Sequence, residues 1–469
     1  MKKILLLACL LMLCMVCSAF AATTTYTGMC DPIVIDQPGE HTIILDNVEI
    51  YAGNSPAIRI EAPASKLTII LKDDSENILH GGTDEWSEYG DGAIVNSSTA
   101  LVIRCESAGD GYECGEHCGV LYAKASDTEG GSGSAAIGSR FGEAMSGSIT
   151  ILGGRINADS LSGAGIGSGM RGNMSGTITI SGGRIDADSG SGAGIGSGMG
   201  GKMSGTITIS GGKIDTDTGI GSGKRGEMSG DIIMNGGSFY ATTVDNAAIG
   251  SGKNGDMSGA ITINGGVLHV SGESGAGIGS GTGGNMSGTV TINGGYVNAS
   301  SSGRSVGVGS GYDGEMSGSF IVKGGTVTVS SSESDSDSES GPAIGASGRG
   351  TVTENAVICV DPDAGWIAVK AGLNKDAAAP LANSPFNART DLKSLLEDTS
   401  YVEFRPAVPP VTPVPATPVP ATPVPATPVP SPVPEIPATG DSMNLALLAV
   451  LAAAGMIGLT VILRKKTEA

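Results

Sequence analysis

The chain has 469 residues, 77 of them glycine and only 4 % aromatic, with a formal net charge of −20. So acidic a balance excludes a nucleic-acid binder, which needs a basic footprint, and so few rings cannot fill a conventional globular core of this length. Glycine at about 16 % against a usual ~7 % points instead to a repetitive backbone architecture.

Residues 1–21 read as a secretory signal peptide. Lys2 and Lys3 open it, an apolar stretch runs from Ile4, and Ala19-Phe20-Ala21 supplies the small-x-small cleavage pattern. Leu13 and Val16 stand before Cys14 and Cys17, where a lipoprotein signal needs a small residue. Residues 22–140 read as degenerate coils of a solenoid. Thr42-Ile43-Ile44-Leu45 returns 26 residues later as Thr68-Ile69-Ile70-Leu71, and Ala57-Ile58 and Ala93-Ile94 resemble Ala136-Ile137.

Five cysteines remain once the signal is removed: Cys30, Cys105, Cys114, Cys118 and Cys359. Cys114, His117 and Cys118 form a weak zinc pattern, because Cys-x₃-Cys lacks a matching second pair. A disulfide among Cys105, Cys114 and Cys118 suits an oxidising exterior. A loop thiol without a role is the third reading.

Residues 141–351 repeat one sentence seven times: Met-Ser-Gly, a four-residue alternation, Gly-Gly, and a second alternation; most copies close on Gly-Ile-Gly-Ser-Gly. The methionines are Met145, Met174, Met203, Met228, Met257, Met286 and Met316, so the spacings are 29, 29, 25, 29, 29 and 30. A period of this size means one structural unit stacked on copies of itself. Thr177-Ile178-Thr179-Ile180 alternates with period two, as a half-buried strand does. Gly182-Gly183 breaks that strand, Arg184-Ile185-Asp186-Ala187 begins a second, and the run around Ile195 makes a third. The reading is an all-β, right-handed parallel β-helix of about 29-residue coils. Ile178, Ile207, Ile261 and Val290 belong inside, and the Met column reads as inward packing rather than a metal or redox device. The short spacing places a four-residue deletion between Asp215 and Gly219, expected in an outer loop that leaves the strands intact. Gly-x-Gly-x-x-Gly occurs six times, but no helical pattern follows it, so a β-helix corner is favoured over a nucleotide loop.

The run Ser330 to Ser340 is an acidic low-complexity insert. Residues 352–405 lose the glycine period and carry Trp366, Phe386, Leu392, Leu395 and Phe404, which suit an end cap. Residues 406–435 form a proline-rich linker, expected to be an extended, disordered stalk reaching roughly 90 Å. Ile436-Pro437-Ala438-Thr439-Gly440 follows, then a hydrophobic span at 445–463, expected to be helical, and a basic tail at 464–469.

The order of pentapeptide, apolar span and basic tail resembles the sorting signal of sortase-anchored Gram-positive surface proteins, with Ile436 where the family has leucine. The resemblance implies cleavage between Thr439 and Gly440 and transfer of Thr439 to peptidoglycan. It also implies a cell-wall, extracellular location, with the apolar span as a transient membrane anchor; a permanent single-pass transmembrane helix is the alternative. The middle of the chain is similar to glycine-rich repeats of surface proteins from gut Firmicutes, some of them carbohydrate-binding.

One face of the second strand attracts interest as a binding surface. Alternation puts Arg155, Asn157 and Asp159 on one side, with Arg184, Asp186, Asp188 and Lys213, Asp215, Asp217 above them. Tyr240, His269, Tyr296 and Asn298 lie farther along. Stacked carboxylates repel unless cations intervene, so the Arg and Lys column balances them, or Ca²⁺ does, or the strip hydrogen-bonds a polysaccharide or host glycan with the tyrosines as stacking surfaces. Only four histidines occur, with no pair at hydrolytic or metal spacing, so the expectation is a non-enzymatic adhesin with no catalytic residues and no obligatory cofactor. A polysaccharide lyase or hydrolase and a purely structural stalk stand as alternatives.

Overall fold

A computed structural model describes residues 23–408, apart from 62–63, 84–89, 108–114, 116, 127–132 and 332–340. The signal peptide, Cys114, most of the acidic insert, the proline tract from 409 onward, the sorting pentapeptide and the apolar span lie outside the described residues. Among the described residues no helix is long and apolar enough to cross a membrane.

Each regular coil supplies three short strands. In the coil that starts at Met174 they are Thr177–Ile180, Arg184–Ser189 and Ile195–Gly196. The first alternates because threonine faces water while Ile178 and Ile180 point inward with no exposed surface. The next coil lays Thr206–Ile209 alongside in parallel register, Ile178 beside Ile207. Ile261 and Val290 continue the row and are equally buried. Each such side chain contributes about 1.5–3 kcal/mol of burial, and the rows make one continuous core along the stack. The methionines form a further inner row, bridged in parallel from Met145 to Met316 and fully buried.

The degenerate coils stack in the same way. Thr42 to Leu45 pairs with Thr68 to Leu71, and Ile58, Ile94 and Ile137 follow one another in the sheet that the third strands of the coils build. Among the described residues that sheet holds eleven strands, from Ile33–Ile35 to Ile344–Ser347. At ~4.8 Å per coil its outermost strands are about 48 Å apart.

The Gly-Ile-Gly-Ser-Gly corner has a physical cause at each letter. Gly167 and Gly196 hold φ of +141° and +138°, and a Cβ on either would overlap the carbonyl oxygen of the following coil's glycine. The serine after each closes its own turn: Ser168 Oγ donates to Gly172 O at 2.7 Å and Ser197 Oγ to Gly201 O at 2.8 Å. It also accepts from the coil above, as Gly198 N does toward Ser168 Oγ at 3.3 Å. At the opposite turn Asn264 Nδ2 donates to Asn235 Oδ1 at 2.8 Å, and Asn293 Nδ2 to Asn264 Oδ1 at 2.7 Å. The serine bonds satisfy buried polar groups that a tight solenoid would otherwise strand, while the asparagine ladder runs along the exposed surface.

Three details depart from expectation. The short coil shortens its second strand to Lys213–Thr216, four residues against six in Arg184–Ser189, so the deletion does not spare the strands. Parallel stacking continues past residue 352, where Val357–Val360 pairs with Ser319–Val322. Antiparallel pairing then takes over: Tyr401–Ala407 runs against both Thr326–Ser331 and Trp366–Gly372. Phe386, Leu392 and Phe404 are buried there, with Phe404 edge-on to Phe320 at 6.0 Å, whereas Leu395 is exposed on the four-residue helix Lys393–Leu396.

Candidate functional site

The second strands present one outward face, and parallel register decides what meets on it. Arg155, Arg184 and Lys213 form one column that continues through Ser238 and Val267 to Tyr296. Asn157, Asp186 and Asp215 form the next and continue through Tyr240 and His269 to Asn298. Asp159 and Asp188 pair in the third. Asp217 does not join them as expected, because the shortened strand ends at Thr216; its backbone N–H instead donates to Asp188 Oδ1 at 2.7 Å.

Sequence reasoning missed the continuation of this face into the degenerate coils. Val120–Lys124 pairs with Arg155–Ser160, setting Tyr122 below Asn157 and Lys124 below Asp159. Glu76–His80 and Tyr51 extend it further. A signal was present: Leu121-Tyr122-Ala123 has the same buried-outward-buried form as Ile156-Asn157-Ala158 and Ile185-Asp186-Ala187.

Two open hollows lie on this extended face. One of about 210 Å³ is lined by Tyr122, Arg155, Asn157, Arg184 and Asp186 among others. The other, about 330 Å³, includes Tyr51, Glu76, His80, Tyr122, Asn157 and Asp159. Tyr122 and Asn157 wall both. A larger hollow of about 450 Å³ lies between the last coils and the antiparallel segment; serines, Lys375 and the mostly buried Tyr401 line it.

Stacking coils also stack rings. Tyr240 and His269 stack with centroids 5.2 Å apart and planes 12° from parallel, as do Tyr51 and His80 at 4.9 Å and 18°. Such rings cover one another's faces and offer outward only their edges. Lys213 Nζ lies 5.2 Å from the Tyr240 centroid, whereas Tyr296 tilts 49° to His269. Tyr122 differs: its ladder neighbours are Ile78 and Asn157, and it is 42 % exposed.

The carboxylate columns are accommodated piecemeal. Lys213 pairs with Asp215 of its own strand at 3.3 Å, and Asn157 Nδ2 donates to Asp186 Oδ2 at 3.5 Å. Partial burial, with the charges of Asp186 and Asp217 beside it, pushes Asp188 up to about 6 despite the opposing Asp217 N–H. A carboxyl that holds its proton more tightly when folded makes stability fall as pH rises from the unfolded value through about 6. Asp188→Asn is therefore expected to stabilise the fold at pH 7 by about 1 kcal/mol after solvent screening, seen as a higher melting temperature, and to leave stability unchanged at pH 3.5. Thermal melts of both proteins across that range check this.

No three His, Cys, Asp or Glu side chains among the described residues gather closely enough to hold a metal ion. Of the weak zinc set, Cys114 lies outside the described residues, His117 Nδ1 is 2.8 Å from Asp74 Oδ1, and Cys118 Sγ is 2.7 Å from Cys105 Sγ.

Two families match the chain. A β-helix repeat family matches residues 149–170, 178–199, 261–282 and 290–312. An LPXTG cell wall anchor motif matches residues 428–469, a segment that contains Ile436 to Gly440. No curated protein and no solved structure shows a significant match.

Proposed function

We propose that this chain, a sortase-anchored Gram-positive surface protein carrying β-helix repeats, binds glycans along the outward face of its second strands. It is held at the cell wall, outside the cell, and Thr439 is the residue through which it joins peptidoglycan. The coil stack holds the binding face and has no catalytic part.

The observation that carries this reading is the pair of adjoining hollows that share Tyr122 and Asn157. A sugar needs an apolar surface for its ring and several acceptors and donors for its hydroxyls. Tyr122 offers the first, and Asn157, Asp159 and Asp186 offer the second. Successive coils present these groups at one fixed step, so a linear polymer laid along the stack meets polar groups from several coils at once.

The test uses protein released from the wall by muramidase digestion, applied to a glycan array. Saturable binding is expected, and Tyr122→Ala should weaken it about tenfold, the weight of a central aromatic anchor. Because Tyr122 is exposed, its loss should leave the melting temperature in place. An array without saturable binding would leave a structural stalk, and new reducing or unsaturated ends on a bound polymer would turn the reading to catalysis.

A further inference from the structure

We infer that the glycan is anionic and that Arg155 and Arg184 receive its carboxylate; the inference rests on the glycan reading above. The two arginines face each other in register on adjacent coils, about 4.8 Å apart along the stack, and both are exposed. Like charges directly opposite one another in a sheet repel. The third cation of the column is already engaged, since Lys213 pairs with Asp215 and lies over Tyr240. Neither Arg155 nor Arg184 has an ion pair among the described residues, although the whole chain carries a net charge of −20.

Both guanidiniums line the 210 Å³ hollow beside Tyr122, where Asp186 is the one carboxylate. Two positive charges against one negative leave a single positive charge, which suits a monoanion. A planar guanidinium fork matches a carboxylate with two parallel hydrogen bonds. A sugar with its ring on Tyr122 and its carboxylate on the arginines leaves its hydroxyls to Asn157 and Asp186. The neighbouring hollow carries Glu76 and Asp159 with Lys124, so the positive site is local rather than a general property of the face.

The experiment presents wall-released protein with polygalacturonate, hyaluronan and sialyllactose, each beside its carboxyl-reduced copy, and with a poly(ribitol phosphate). Binding is expected to at least one carboxylated glycan, with a loss of tenfold or more on carboxyl reduction and a decline as salt rises. Arg155→Ala with Arg184→Ala should weaken it by tenfold or more, the double lysine variant should recover part of it, and Lys202→Ala, at an exposed lysine outside the second strands, should change it less than twofold. Equal binding of reduced and carboxylated copies, unaffected by the double alanine change, would overturn the anionic ligand while leaving the glycan reading intact. Preference for the phosphate polymer would overturn the carboxylate. Absence of binding to every probe and to neutral glycans would remove both readings.

Discussion

Gly196→Ala is expected to cost about 4 kcal/mol or more, enough to break the coil stack locally. The backbone there holds φ of +138°, and a Cβ would overlap the carbonyl oxygen of Gly221 in the next coil. Strain at such an angle costs about 1–3 kcal/mol by itself. The rest comes from separating two coils whose carbonyl cannot swing away, because it belongs to the backbone of a close-packed corner. Gly142→Ala is the matched control: φ is +71° but the space around it is open, so strain alone remains, at about 1 kcal/mol. Chemical denaturation of both variants against the parent measures the difference. Equal effects at the two positions would mean that the coils do not approach closely at this corner.

Removing one whole coil should do far less damage than removing half of one. Deletion of residues 257–285 joins Asp256 to Met286, and Met257 and Met286 occupy equivalent places in the inner row. Asp231–Met234 then meets Thr289–Ile292 with every aliphatic side chain still inward, since both strands pair in the same phase with Ala260–Ile263. The loss is that of one nearest-neighbour unit in a quasi-linear stack, about 1.5–4 kcal/mol at usual per-residue stabilities. The hollows around Tyr122 lie in earlier coils, so the glycan binding proposed for them is expected to be unchanged. Deleting 257–270 alone removes Ala260–Ile263 and most of Val267–Gly272 and leaves Ile278–Gly279 without its coil, so cooperative melting should disappear. A folded half-coil variant would contradict the stacking argument.

The regular coils were legible because their periods are written in side-chain type. Threonine and isoleucine alternate on the first strand, and glycine recurs wherever one coil's backbone crowds the next. The role of Ser168 and Ser197 was not legible, since composition shows a small polar residue but not that its hydroxyl closes a turn and accepts from the adjacent coil. The Arg155, Asp186 and Tyr240 columns followed from register alone. Asp217 failed because a deletion can fall within a strand as well as beyond it, and pattern does not separate the two. Tyr51, His80 and Tyr122 were missed for a related reason: their strands lack the Met-Ser-Gly and Gly-Gly markers, and the surviving buried-outward-buried form of Leu121 to Ala123 is short. Leu395 is apolar yet exposed, because the brief helix that carries it buries Leu396 instead.

Parallel stacking in register is what brings Tyr122, Arg155 and Arg184 together from separate coils. Pulsed dipolar spectroscopy on nitroxide-bearing amino acids at Ser148 and Ser319 measures it most directly. Six coil steps separate these outward positions, giving about 29 Å, and the 257–285 deletion should shorten this to about 24 Å. A distance that does not shorten with the deleted coil would contradict the account.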